Sequence, residues 1–378
     1  MNKLFRIPSR SFGTKGNAAV PALKLRNGAL MPQIGLGTWK SPPGVTQAAV
    51  EIALENGYTN LDTANDYNNE PEVGDGISNI LKKGGIKRSD LFIQSKLWNS
   101  NHRPEHIKPD LEQTLADLKL NYIDSYVIHW PQACPSAINA PTLRTTGAYP
   151  AHIDKVSMFP YDDDGYFVAD LESHYTETWE AMQGLVDSGI VRGIGLSNFN
   201  KKQIEEVLAM NLKYQPTLLQ NECHPYLQQK DLIDFCNCNG IVFQAFSSLG
   251  SGDTHLAVSD SPTGTIPLKD PYIAQLAKKY GKSEGQIILR WHVQRKNGSY
   301  GLVTKSVTES RIVSNIQVYD FELSEEDMAG FDALNNGWRH LLWRETSNHP
   351  DYPFFDELPY GYQLEKAPLQ SSSGTGDN

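Results

Sequence analysis

The sequence predicts an α/β fold in which eight short parallel strands, each followed by a helix, close into a (β/α)8 barrel. Three observations point there. Short apolar stretches recur at Ile34–Gly37, Thr59–Asp62, Leu91–Leu97, Ile123–His129, Val191–Leu196, Leu218–Glu222, Ile241–Phe246 and Gly301–Thr304. Segments of helical period lie between them, among them Gln47–Asn56, Pro104–Leu118, Tyr175–Ser188, Lys201–Ala209, Gln229–Cys238 and Tyr272–Tyr280. A glycine-rich phosphate loop is missing, since Gly193-Ile194-Gly195-Leu196-Ser197-Asn198 lacks the third glycine of G-x-G-x-x-G. Alternation alone does not prove closure, so an open doubly wound sheet is the structural rival.

Residues 1–22 read as an extension. Lys3, Arg6, Arg10 and Lys15 precede the first acidic residue, Glu51, with Ser9 and Ser11 among them. Such a start suits either a disordered arm on a cytoplasmic protein or a mitochondrial transit peptide. Leu23 to Pro32 then reads as an N-terminal β-hairpin, because Asn27-Gly28 between two apolar stretches favours a two-residue turn. Residues 23–364 form the single barrel domain. Two parts exceed a minimal barrel: an enlarged loop after the fourth strand, Pro131 to about Asp170, and an aromatic- and proline-rich segment, Trp338 to Tyr362. Both are expected over the active mouth. Residues 365–378 read as a flexible tail.

The chain has 378 residues, 34 Lys+Arg and 44 Asp+Glu, giving a net charge of −10. That acidity argues against a nucleic-acid partner, and no apolar run is long enough to span a bilayer. Cys134, Cys223, Cys236 and Cys238 form no C-x-x-C pair, so they read as reduced thiols rather than a disulfide or metal framework. No heptad argues for assembly, and a monomer is the default.

Polar residues interrupt the apolar strands at their carboxyl ends. Asp62 ends the second strand, Lys96 nearly ends the third, His129 ends the fourth, and Tyr67 follows Asp62 in the next loop. Strand ends converge on one face of a barrel, so the four can meet. Taken singly, Asp62 reads as a turn cap and His129 as a core histidine; together they make a coherent proton-transfer site. Tyrosine, with an ordinary pKa near 10, is a poor acid at neutral pH. The Lys96 ammonium would lower it, Asp62 would balance Lys96, and His129 would orient a carbonyl oxygen. Tyr67 then serves as general acid, and the hydride that must reach the carbon implies a nicotinamide.

Gly35-Leu36-Gly37-Thr38-Trp39, Asp62-Thr63-Ala64-Asn65-Asp66-Tyr67, Ser95-Lys96-Leu97-Trp98 and Val127-Ile128-His129-Trp130-Pro131 resemble motifs of the aldo-keto reductase superfamily. So do Gly195-Leu196-Ser197-Asn198-Phe199, Gln220-Asn221-Glu222-Cys223-His224-Pro225 and Lys305-Ser306-Val307-Thr308, all in family order. The resemblance implies the barrel, an NADPH/NADP+ cofactor, and Tyr67 as proton donor assisted by Asp62, Lys96 and His129. It also implies cofactor contacts at Gly37, Thr38, Trp39 and Val307. It places Ser197, Asn198 and Gln220 on the nicotinamide amide, Phe246 on its ring, and Asn315 at the adenine.

Barrels often bind phosphates after the seventh and eighth strands. Here these open into Ser247-Ser248-Leu249-Gly250-Ser251 and Lys305-Ser306, with Arg311 following. Ser247, Leu249, Ser251 and Ser306 are candidates for the pyrophosphate, and Lys305 and Arg311 for a 2′-phosphate, which favours NADPH over NADH. The sequence departs from the family at Thr304 and Ser248, where proline is common, at Phe246, often tyrosine, and at Ser314, often acidic.

Trp39, Trp98 and Trp130 would wall the substrate pocket with Tyr67. The tail, Asn336-Gly337-Trp338-Arg339 and His349-Pro350-Asp351-Tyr352-Pro353-Phe354, is similar to the aldehyde-reductase branch. The enlarged loop is similar to that of reductases of the alginate-derived deoxyhexoseulose uronate. A small aldehyde or ketone carrying a carboxylate, as uronates do, is therefore expected, with Arg144, Lys155, Arg339 or Arg344 as its cation. Two other classes compete: a non-catalytic barrel that senses NADPH beside a partner, and a metal-dependent hydrolase using His129 and His224, for which no H-x-H pair exists.

Overall fold

The computed structural model of the chain describes residues 20–136, 144–145, 158–162, 164–251, 261–358 and 361–364. Strands β1 (Ala22–Lys24) and β2 (Leu30–Pro32) form the expected antiparallel hairpin, with Ala22 opposite Pro32. Its turn is wider than Asn-Gly suggested. The Leu25 amide donates to Ala29 O at 2.9 Å and Gly28 N to Leu25 O at 2.9 Å, leaving a loop of Arg26, Asn27 and Gly28. Gly28 takes φ +87°, which a glycine adopts without strain. Asn27 accepts from Ala29 N at 3.0 Å and donates to Arg192 O at 2.9 Å. Val20 packs on the core and Ala22 already belongs to β1.

The barrel strands are β3 (Ile34–Gly37), β4 (Asn60–Asp62), β5 (Phe92–Leu97) and β6 (Ser125–Ile128). A short antiparallel pair, β7 (Arg144–Thr145) and β8 (Pro160–Tyr161), interrupts the alternation. The barrel resumes with β9 (Ile194–Ser197), β10 (Leu218–Glu222), β11 (Val242–Phe246) and β12 (Gly301–Thr304). Neighbours pair in parallel around the ring, and β12 closes onto β3 with Leu302 opposite Ile34. Closure excludes the open doubly wound sheet.

Side chains alternate across a strand, and β5 illustrates the result. Ile93 and Leu97 face the helical layer and join the main apolar core. Phe92 clusters instead with Leu23, Leu25 and Met31 of the hairpin and with Val127, Leu218 and Val242, so the hairpin plugs the amino-terminal end of the barrel. Two residues on, Gln94 enters a polar layer: it and Gln220 each donate to Asp62 Oδ1 at 2.8 Å and to Gln244 Oε1 at 3.0 and 2.8 Å. Lys96, two further on, stands at the catalytic level.

Around the barrel run α1 (Thr46–Glu55), α2 (Glu70–Lys83), α3 (Pro104–Leu118), α4 (Tyr175–Asp187), α5 (Lys201–Ala209) and α6 (Lys230–Cys238). They are followed by α7 (Pro271–Tyr280), α8 (Glu284–Gln294), α9 (Glu309–Ile316) and α10 (Glu325–Gly330). Helix α2, which carries Gly74 and Gly76, is not among the helical patterns read from the sequence. Gly74 is required by packing: a Cβ there would lie 2.4 Å from the Asp117 carbonyl oxygen of α3.

The enlarged loop and the carboxyl-terminal segment meet above the active face, as expected. Trp98, Trp130, Met158, Leu342, Tyr352 and Phe354 form one buried cluster, and Trp98 Nε1 donates to Met158 O at 2.6 Å. Among the described residues no helix is long and apolar enough to cross a membrane. The described residues also contain no cluster of three or more His, Cys, Asp or Glu arranged to hold a metal ion.

Candidate active site

Asp62, at the end of β4, and Lys96, near the end of β5, project into the barrel on adjacent strands. Lys96 Nζ lies 2.8 and 2.9 Å from the two Asp62 oxygens and 2.9 Å from Thr63 O. Lys96 is fully buried and Asp62 is 3% exposed, so neither charge tolerates loss of the other. The three-residue turn Asn65–Tyr67 follows β4. It is fixed by Asn65, which donates to Asp110 Oδ1 at 2.9 Å, and by Asn69, which donates to Thr38 O at 2.8 Å. Tyr67 is thereby placed with its ring centroid 4.8 Å from Lys96 Nζ and 5.7 Å from the His129 ring. The four residues expected at the strand ends do come together.

The electrostatics differ from the expectation. Lys96 was to lower the proton affinity of Tyr67; instead the phenol is held well above its ordinary value. Burial is the largest cause, followed by the carboxylates of Asp62, Asp66 and Glu70. All three ammonium protons of Lys96 already have partners on Asp62 and Thr63, so Lys96 meets Tyr67 through its ring face rather than its oxygen. Tyr67 thus remains protonated, which a proton donor requires. Glu70 beneath it is pushed up to about 8, chiefly by burial and against the hydrogen bonds from Ser95 and Thr114.

His129 sits immediately after β6. Its carbonyl accepts from Asn198 Nδ2 at 2.9 Å, and Trp98 stands edge-on at 5.1 Å. The Trp39 ring lies 6.4 Å from that of Tyr67. Trp98 stacks on Trp343 at 5.5 Å, and Trp130 meets the same ring at 5.3 Å. Trp130 therefore reaches the site through Trp343, a wall residue that sequence reasoning did not single out. Asp66 was also missed as a site residue, although it precedes Tyr67 directly: its Oδ1 lies 3.0 Å from His129 Nδ1.

The candidate cofactor residues line the neighbouring strand ends. Asn198, at φ +60°, has a buried side-chain oxygen without a hydrogen-bond partner, and Gln220 directs its Nε2 to Asp62 and Gln244. Amide oxygens at these positions suit the carboxamide of a nicotinamide. Thr38 is tied to Asp62 O at 3.1 Å, and Gly37 is paired with Asp62 across β3 and β4. Phe246, which ends β11, and Leu249 just past it are half-buried, and Ser251 Oγ donates to Ser247 Oγ at 2.7 Å. Ser247 and Ser251 both have positive φ, at +49° and +48°. Past β12, Ser306 Oγ accepts from Thr308 N at 3.1 Å, Lys305 and Val307 are half-buried, and Arg311 is exposed in the first turn of α9. Asn315 is buried in the same helix. The donor set fits a nicotinamide dinucleotide phosphate.

The cations proposed for a substrate carboxylate divide. Arg339 is 6% exposed, forks onto Glu357 at 2.7 and 2.9 Å, and stacks over Phe354 at 3.8 Å. It is a structural clamp, which corrects the expectation. Lys155 and the side chain of Arg144 lie outside the described residues. Arg344 follows Trp343 directly, on the turn Arg344–Thr346.

Glu222 anchors the segment that carries these residues over the site. It accepts from His340 N at 2.7 Å, Leu341 N at 2.8 Å and His224 Nε2 at 2.9 Å. Burial alone would raise its carboxyl, but His224, the Arg339 charge and the His340 amide hold it at about 2. Gln132 to Thr346 (2.8 Å) and Gln203 to Asp351 O (2.8 Å) add further ties.

Residues 33–336 match the Aldo/keto reductase family. The chain is 43% identical over 352 residues to aldo-keto reductase family 1 member A1 of Pongo abelii, covering 90% of this chain and 100% of that protein. It is 43% identical over 354 residues to the protein of the same name from Gallus gallus, covering 91% and 100%. The aldose reductase structure from Schistosoma japonicum superimposes with a TM-score of 0.76 at 38% identity, covering 89% of this chain and 99% of that one. With the closed barrel and its converging Asp62, Tyr67, Lys96 and His129, these likenesses make the chain a member of the aldo/keto reductase family and an NADP-dependent oxidoreductase.

Proposed function

We propose that the protein reduces an aldehyde or ketone to the alcohol with NADPH, that Tyr67 donates the proton, and that the natural substrate carries a carboxylate, as a uronate does. The observation carrying the proton-donor assignment is the Tyr67 phenol beside His129, over the buried Asp62–Lys96 pair. NADPH, when bound, supplies the hydride. Asn198 and Gln220 would hold its carboxamide, Phe246 its ring, Ser247, Leu249, Ser251 and Ser306 its phosphates, and Lys305 and Arg311 the 2′-phosphate. Tyr67 gives its proton to the oxygen as negative charge grows there, and the deprotonated phenolate is then stabilised by the ammonium below its ring. His129 and Trp98 set the carbonyl orientation, and the roof of Trp130, Trp343 and Phe354 excludes water.

The carboxylate preference rests on Arg344, beside the roof tryptophan Trp343, and on the resemblance of the tail to the aldehyde-reductase branch. NADPH oxidation with glucuronate, the alginate-derived uronate, glyceraldehyde and an aromatic aldehyde tests it, with Arg344→Met alongside. The uronates should lead, and the variant should lose about tenfold on them alone, the weight of one charge-assisted contact. An unchanged ranking in the variant removes Arg344, and a preference for neutral aldehydes removes the uronate class.

A further inference from the structure

Asp66 and His129 face each other inside the site, and the family reading gives Asp66 no role. Their side chains are 7% and 9% exposed, and Asp66 Oδ1 lies 3.0 Å from His129 Nδ1. The approach of these two atoms is close but falls short of hydrogen-bond alignment. The turn Asn65–Tyr67 that presents the proton donor therefore also presents a carboxylate to the back of the histidine.

We infer that Asp66 is a positioning residue that keeps His129 doubly protonated, so that the group meeting the substrate oxygen is an imidazolium. A neutral imidazole has one N–H. With a carboxylate at Nδ1, that proton belongs on Nδ1, and Nε2 then offers a lone pair that repels a carbonyl oxygen. Only the ring protonated at both nitrogens satisfies Asp66 at its back and donates through Nε2 at its front.

The surrounding charges agree. Among the described residues, His129 meets Asp66 and Tyr67 from the turn, Trp98 past β5 and Asn198 past β9, and the Lys96–Asp62 pair lies beyond Tyr67. Lys96 neutralises Asp62. Burial keeps Tyr67 neutral and pushes Glu70 up to about 8, so neither supplies charge at neutral pH. Asp66 is the carboxylate in direct contact with the ring, and a protonated His129 offsets its charge.

The test is Asp66→Asn, which keeps the shape and removes the charge. Imidazole proton and nitrogen resonances of the full-length protein, with His129 identified by its loss in His129→Gln, report ring protonation directly. The wild-type ring should be doubly protonated at neutral pH, and in Asp66→Asn its titration midpoint should fall by at least one pH unit. With NADPH and an aldehyde, the variant should lose about tenfold in kcat/KM at neutral pH, mostly through KM, and regain it on acidification toward pH 5. NADPH binding, followed by fluorescence, should stay intact and shows that the variant is folded. A His129 titration unmoved by the substitution overturns the inference, as does a loss of activity equal at every pH. The kinetic arm rests on the reductase reading and the resonance arm does not; absent turnover in wild type with the titration shifted would count against that reading alone.

Discussion

Replacing Lys96 by Met strips the buried Asp62 carboxylate of its two closest charge-assisted contacts and leaves it two neutral amide donors, from Gln94 and Gln220. Leaving one member of such a pair alone in the interior costs about 3–5 kcal/mol. Asp62→Asn strands the ammonium in the same way and should cost a similar amount. The double variant contains no buried charge. What it loses is hydrogen bonding, chiefly at Thr63 O and among the glutamine amides, for about 1–3 kcal/mol. The two single losses therefore sum to about 6–10 kcal/mol, whereas the double variant should lose far less, an interaction of at least about 3 kcal/mol. Urea denaturation followed by tryptophan fluorescence, run on all four proteins, measures it. Additive losses, agreeing within about 0.5 kcal/mol, would refute the idea that the two charges exist in the core only as a pair.

Three other outcomes follow from the same structure. Glu222, held at about 2 against an ordinary value near 4.3, contributes stability that is present above its unfolded value and is lost as pH falls through about 2. Glu222→Gln should flatten the acid limb of an unfolding titration between about pH 4 and 2, and should speed proteolysis of the segment beyond Trp338; an unchanged acid limb would contradict this. Gly74→Ala should destabilise by about 1–3 kcal/mol, because α2 must move off the Asp117 carbonyl, and a thermal melt at the wild-type position would show that the helices give way freely. Lys305→Met should weaken NADPH binding by about ten- to a hundredfold while leaving NADH nearly unaffected, and equal losses for both cofactors would place the 2′-phosphate elsewhere.

Much of this was legible in the sequence because the barrel couples position to function. Polar residues at the ends of apolar strands, Asp62, Lys96 and His129, cannot avoid meeting at one face, and Tyr67 one turn beyond is carried with them. Helix α2 escaped because Gly74 and Gly76, which break a helical pattern on paper, are there for close approach to α3 and α1. The proton affinity of Tyr67 was read in the wrong direction because a neighbouring lysine says nothing about where its three protons go, and here they go to Asp62 and Thr63. Arg339 looked like a substrate cation because Glu357, its partner, is distant in sequence. Trp343 and Asp66 were in view as letters of an aromatic tail and of a motif. Only the fold sets the one against Trp98 and the other against His129.

The most direct test of the central claim is the oxidation of NADPH by saturating aldehyde, measured for wild type and for Tyr67→Phe at equal cofactor occupancy. Loss of a general acid predicts a fall of about 10²–10⁴-fold in the variant with NADPH binding retained. Equal turnover by the two proteins would contradict the assignment of Tyr67 as the proton donor.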